Sequence, residues 1–219
     1  MKTTNSSISE TKLFTDGSVY GCLHLPVSEG AASGVVLTHG AGANFEAPLL
    51  VVLANALAAD GYIVLRCNLA FRQRKRSGPP HPSNAAADRQ SLREAVQAMR
   101  HMTSGKVILG GHSYGGRQAS ILAAEDRTVA DSLLLLSYPL HPPAKPEALR
   151  TDHFPKLKVP ALFVHGTKDG FGSVEEMREA TKLIPGAVKL SIVDGAGHDL
   201  ARGHFNIQEL ILEKLPRGQ

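Results

Sequence analysis

Residues 106–117 read Lys106-Val-Ile-Leu-Gly-Gly-His-Ser-Tyr-Gly-Gly-Arg117, and the architecture of the chain can be worked outward from them. Lys106 to Leu109 is a short apolar run that predicts a buried strand, and the alanine-rich stretch Gly115 to Ala124 predicts a helix. Between them, Gly111-His-Ser-Tyr-Gly115 must turn from strand to helix within a few residues. A serine at the apex of such a turn takes strained backbone angles, and glycines two positions before and after remove side chains that would collide there. The turn lifts the Ser113 hydroxyl clear of a sheet and sets it at a helix N-terminus, where free N–H groups and the helix dipole favour developing negative charge.

On both sides of this stretch, apolar β-branched runs alternate with longer helical patterns, the ordering of a parallel sheet covered by helices. Strands are expected at Gly34 to Thr38, Tyr62 to Arg66, Ser132 to Ser137, Val159 to Val164 and Val188 to Val193, with Ser18 to Leu25 as an antiparallel edge. Helices are expected at Ala47 to Ala59, Asn84 to Met102, Val174 to Leu183 and Phe205 to Leu215. Phe71 to Ser83 holds three prolines and a dense basic run and is expected to be a surface loop without regular structure. Tyr138 to Lys158 carries five prolines, which predicts an irregular flap and no large cap domain. The fold class is therefore α/β, with a mostly parallel central sheet and helices on both faces.

At 219 residues, with 42% hydrophobic and 20% charged residues, the chain fits one well-buried domain over 1–219, with residues 1–12 expected to be a flexible N-terminus. The polar start and the absence of a long uncharged apolar run point to a cytoplasmic chain with no membrane partner. Cys22 and Cys67 both fall in strand-like segments and are expected to be buried free thiols. The net charge of +4 concentrates only at Arg72, Arg74, Lys75 and Arg76, too narrow a face for nucleic acid, so no nucleic-acid partner is expected and the run reads as a solvated loop. No spacing suits a metal ion.

A serine hydroxyl is a poor nucleophile near neutral pH and needs a base beside it. Of the ten histidines, His198 stands out in Asp194-Gly-Ala-Gly-His198, just past the last strand, whereas His39, His112 and His165 lie beside strand ends and read as structural. The carboxylate that orients the base is expected at Asp169, in His165-Gly-Thr-Lys-Asp169-Gly170, directly after a strand. Asp194 and Asp199 read as turn residues. Two backbone N–H groups are needed for an oxyanion. Tyr114 supplies one, and the glycine turn Thr38-His-Gly-Ala-Gly42 supplies the other, from Ala41 with Gly40 or Gly42 as alternatives. The pocket wall is expected from loops at the carboxyl ends of the strands: Gly40, Gly42, Asn68, Phe71, Tyr138, His141 and Phe171. Arg117 reads as a contact for an acidic substrate or, more plainly, as half of a bracing salt bridge.

With Thr38-His-Gly-Ala-Gly42, Gly110-Gly-His-Ser-Tyr-Gly-Gly-Arg117, His165-Gly-Thr-Lys-Asp169 and Gly195-Ala-Gly-His198 in this order, the chain resembles a minimal α/β-hydrolase over nearly its whole length. It is similar to the dienelactone-hydrolase-like group and especially to the small KANL/Tex-type hydrolase-like proteins. The resemblance implies the α/β-hydrolase fold, no cofactor, and cleavage of ester or similar acyl bonds in a small-molecule substrate by Ser113, His198 and Asp169. Dienelactone hydrolases proper carry a cysteine nucleophile where this chain has Ser113. A peptidase or thioesterase would use the same machinery, and a non-catalytic interaction module would instead use the basic run at Arg72 to Arg76.

Overall fold

The computed structural model describes residues 10–26, 33–200 and 205–215. Eight strands form one sheet: β1 (Glu10–Asp16), β2 (Val19–Leu25), β3 (Gly34–Thr38), β4 (Ile63–Cys67), β5 (Val107–His112), β6 (Ser132–Leu136), β7 (Ala161–Gly166) and β8 (Val188–Val193), in the order β1-β2-β4-β3-β5-β6-β7-β8. β1 and β2 run antiparallel to their neighbours, and the other six strands are mutually parallel. Alternate residues of the central strands feed two cores. Val36, Leu65, Leu109, Leu135 and Phe163 pack beneath α3 (Ala85–Met102), α4 (Tyr114–Glu125) and α5 (Val174–Thr181), while Val35, Leu37, Val64, Ile108 and Leu134 pack beneath α1 (Pro48–Ala59) and α6 (Ile207–Leu212). A sheet buried on both faces explains why these strands are nearly continuous apolar runs.

The chain leaves β3 toward β4 on one side and returns to β5 on the other. That reversal opens a crevice at the carboxyl ends of β3 and β5, the usual ligand position in an open α/β sheet. The turn after β3 and the turn around Ser113 both end there.

Three expectations are corrected. Residues 10–12 belong to β1, an exposed edge strand paired over Glu10–Asp16 with β2 in full register and touching the core through Phe14; residues 1–9 lie outside the described residues. An edge strand with almost no buried face carries no hydrophobic signal of its own. Residues 71–83 are not wholly irregular, because α2 (Ala70–Arg74) forms after β4 and a single 3₁₀ turn, Pro82–Asn84, leads into α3. The basic run is not uniformly solvated either: Arg72 is 5% exposed. Its Nε donates to the Ala43 carbonyl at 2.7 Å, Nη1 to Lys75 at 3.1 Å, and Nη2 to Ala41 at 2.8 Å and Gly78 at 3.0 Å. A guanidinium has five donors in a planar fork, so it can gather carbonyls from two loops where a lysine could not.

Residues 138–158 are irregular apart from one 3₁₀ turn, Phe154–Lys156. Cys22 and Cys67 are buried free thiols, and burial pushes the Cys67 thiol up to about 12. Among the described residues, no helix is long and apolar enough to cross a membrane.

Candidate active site

Ser113 stands between β5 and α4 with φ of 52° and ψ of −117°, left-handed backbone that only surrounding constraint maintains in a residue with a side chain. Its N–H donates to Leu136 on β6 at 2.8 Å, and its carbonyl accepts from Arg117 one helical turn on at 2.9 Å, so both ends of the turn are anchored. The flanking glycines are required by close approach. A Cβ on Gly111 would stand 2.9 Å from the backbone of Gly115 and Gly116, and one on Gly115 would stand 2.5 Å from the His39 carbonyl oxygen.

Three side chains from three separate loops meet over this turn. His198 Nε2 lies 2.8 Å from Ser113 Oγ, and His198 Nδ1 lies 2.9 Å from each oxygen of Asp169. The Asp169 carboxylate is fully buried, whereas the His198 side chain is 24% exposed, so the far end of the chain is dry and the near end is open to a substrate. Burial pushes the Asp169 carboxyl up, but the hydrogen bond and charge of His198, the Phe171 N–H at 2.9 Å and nearby His165 outweigh it and hold the group below the ordinary carboxylate range. An ionised Asp169 accepts a hydrogen bond from Nδ1–H, which leaves the Nε2 lone pair facing the serine hydroxyl. Phe171 stacks on the imidazole at 4.2 Å between ring centroids, and His112 donates from Nε2 to the His198 carbonyl at 2.7 Å; both restrict the ring and its loop.

The second loop is set by a buried histidine. Leu69 N–H donates to His39 Nε2 at 3.2 Å, so the His39 proton sits on Nδ1 and points at the Gly40 carbonyl, 2.8 Å away. Burial, with smaller contributions from Arg72 and His112, brings His39 down to about 4 and keeps that arrangement neutral. The Gly40 carbonyl also accepts from Ala43 N–H at 3.1 Å. In a trans peptide the carbonyl and the following N–H point opposite ways, so fixing the Gly40 carbonyl inward turns the Ala41 N–H outward. Among the described residues neither the Ala41 nor the Tyr114 N–H has an acceptor. The Tyr114 side chain is anchored away from the crevice, its hydroxyl donating to Asp88 Oδ2 at 2.7 Å. Asp88 also accepts from Phe71 N–H at the start of α2, and burial raises its carboxyl despite both bonds.

Several residues expected on a pocket wall lie inside the fold. Tyr138 is buried among Phe154 and Phe163, with its hydroxyl on the Arg150 carbonyl at 2.6 Å. Asn68 uses its side-chain oxygen to accept from Phe45 N–H, Phe71 is wedged between His39 and Tyr114, and the buried His141 faces Glu176 on α5. Each follows a strand end, as the sequence requires, but points into the core, a direction that depends on neighbours and not on position in the chain. Gly40, beside His112 and Ser113, and Phe171, stacked on His198, remain at the crevice, while Gly42 is exposed on the loop beyond Gly40. Asp194 braces a turn, accepting from Thr167 Oγ1 at 3.2 Å. The sequence reading of His39 as structural holds, whereas Arg72 and Asp88 were missed as supports of the site. For Arg72 the only available signal was that the run lies between two glycine-containing loops.

A doubly wound, mostly parallel sheet with a strained serine turn after its fifth strand, a carboxylate after the seventh and a histidine after the eighth, defines the α/β-hydrolase class. The chain belongs to the alpha/beta hydrolase domain family, whose model matches residues 31–208. The fold is similar to a dienelactone hydrolase from Anabaena variabilis, with 20% identity, a TM-score of 0.72, and coverage of 94% of this chain and 95% of that one. It is also similar to an alpha-beta serine hydrolase homologue from Coxiella burnetii, with 21% identity, a TM-score of 0.70, and coverage of 94% and 97%.

Proposed function

We propose that the chain is a serine hydrolase that cleaves ester or related acyl bonds of a small molecule through an acyl-enzyme intermediate. The observation that carries this reading is the continuous hydrogen-bonded path from Ser113 Oγ through His198 to Asp169, with spacings of 2.8 and 2.9 Å. In the first half-reaction, Ser113 Oγ bonds to the acyl carbon while its proton passes to His198 Nε2. The Ala41 and Tyr114 N–H groups receive the oxyanion, and the leaving alcohol takes the proton from His198 as the acyl–oxygen bond breaks. In the second, a water molecule gives a proton to His198 as its oxygen bonds to the acyl carbon; the acyl–Oγ bond then breaks, Ser113 Oγ takes the proton back from His198, and the acid is released. Asp169 stays ionised throughout and stabilises the transient imidazolium.

A fluorophosphonate probe tests this. Native protein is expected to be labelled at Ser113, and Ser113→Ala is expected to lose labelling while unfolding at a similar urea concentration. An unlabelled native chain, beside a reacting control esterase, would overturn the assignment.

A further inference from the structure

One turn past Ser113 on α4, a cationic group lies outside the proposed catalytic machinery. Arg117 sits beside the Tyr138 hydroxyl, and its Nε is buried with no hydrogen-bond partner. Tyr138 in turn donates to the Arg150 carbonyl, and Arg150 Nη1 donates to the Pro139 carbonyl at 3.2 Å, which brings a second guanidinium to the same patch. His153 completes it, its Nε2 lying 2.8 Å from Ser120 Oγ, while Ser120 donates to the Arg117 carbonyl at 2.9 Å. Among the described residues neither arginine forms an ion pair; Asp152, beside His153, is exposed. The salt bridge expected for Arg117 is therefore not made.

Two guanidinium groups partly withdrawn from water, with no carboxylate paired to either among the described residues, are costly unless an anion joins them. The effects of that uncompensated charge reach their neighbours. Burial lowers Arg150 and the Arg117 charge lowers it further, and burial together with Arg117 brings His153 down to about 4. A buried charged donor left without a partner calls for an explanation, and a bound anion supplies one.

We infer that Arg117 and Arg150, with His153 beside them, form a binding site for a small oxyanion, a carboxylate or a phosphate, lying about 6 Å along α4 from Ser113. The planar forks of the two arginines suit the geometry of such a group, and the unused Arg117 Nε supplies a donor. The anion is either the acid end of the acyl substrate, in which case the inference rests on the hydrolase reading, or a free anion, in which case it does not.

Two measurements on the full chain separate these sources. Thermal unfolding is followed with millimolar sodium phosphate and with disodium succinate, each against sodium chloride at equal ionic strength, for the wild type, Arg117→Gln and Arg150→Gln. Hydrolysis of a nitrophenyl hemisuccinate ester is compared with that of the matched nitrophenyl butyrate. A free-anion site gives a rise in Tm with phosphate or succinate that either variant abolishes. A substrate site gives about tenfold higher kcat/KM for the hemisuccinate, and either variant removes that ratio. The inference is overturned if neither anion stabilises the wild type and the two esters react alike, or if both effects survive in both variants. Fluorophosphonate labelling of the wild type persists in that event, which separates failure of the anion site from failure of the hydrolase reading.

Discussion

Replacing Arg72 with methionine keeps much of the apolar stem and removes the guanidinium that ties together the carbonyls of Ala41, Ala43, Lys75 and Gly78. Each hydrogen bond from a charged donor contributes about 1.5–3 kcal/mol when measured alone. The four share one side chain, and water can reach the freed carbonyls because none of the four residues they belong to is buried. The expected loss of stability is therefore roughly 2–4 kcal/mol rather than the sum. The catalytic effect follows from Ala41. Removing one oxyanion donor outright costs about 10²–10³ in kcat, but His39 still holds the Gly40 carbonyl in this variant, so the donor is loosened and not lost. A fall in kcat of about 10–100-fold is expected, with KM changing much less, because the N–H acts on charge that develops only in the transition state. Steady-state hydrolysis of a nitrophenyl ester, with urea unfolding of the same preparations, measures both quantities. If the unfolding midpoint drops while kcat stays within about twofold of wild type, less than 0.5 kcal/mol of barrier, the proposed link from Arg72 to the oxyanion loop is wrong.

Two further outcomes test the rest of the site. Asp169→Asn retains an acceptor for Phe171 N–H but presents either an amide N–H or a weaker acceptor to His198 Nδ1. The imidazole then adopts the tautomer that cannot accept the Ser113 proton, and kcat should fall by about 10⁴, equivalent to roughly 5.5 kcal/mol; a loss below tenfold would remove Asp169 from the mechanism. Acid should weaken the fold through two histidines, the buried His39 and the half-buried His153. His39 and His153 are held down to about 4, against about 6.5 in an unfolded chain, so between those values the unfolded chain binds protons that the native one refuses. Their stabilisation is present above about pH 6.5 and is lost as pH falls toward 4. Urea midpoints across that range should decline, and less steeply in His39→Asn; equal slopes would show that His39 does not contribute.

Much of this was legible in the chain itself. Continuous apolar runs separated by helical patterns specify a two-faced parallel sheet, because only strands buried on both sides can be hydrophobic at every position. The turn around Ser113 needs glycines that no other local structure would need, and it announced itself together with the loops ending at Asp169 and His198. Tertiary structure alone decided the rest. β1 exists because β2 offers it an edge, Tyr138 and Phe71 turn inward because a core receives them, and Arg72 leaves its basic neighbours because four carbonyls from adjoining segments converge on it. Arg117, by contrast, has no carboxylate brought to it among the described residues. Local pattern reports what a residue does to its own backbone and which face it prefers; it does not report which distant groups arrive beside it, and hydrogen bonding and burial of charge depend on those arrivals.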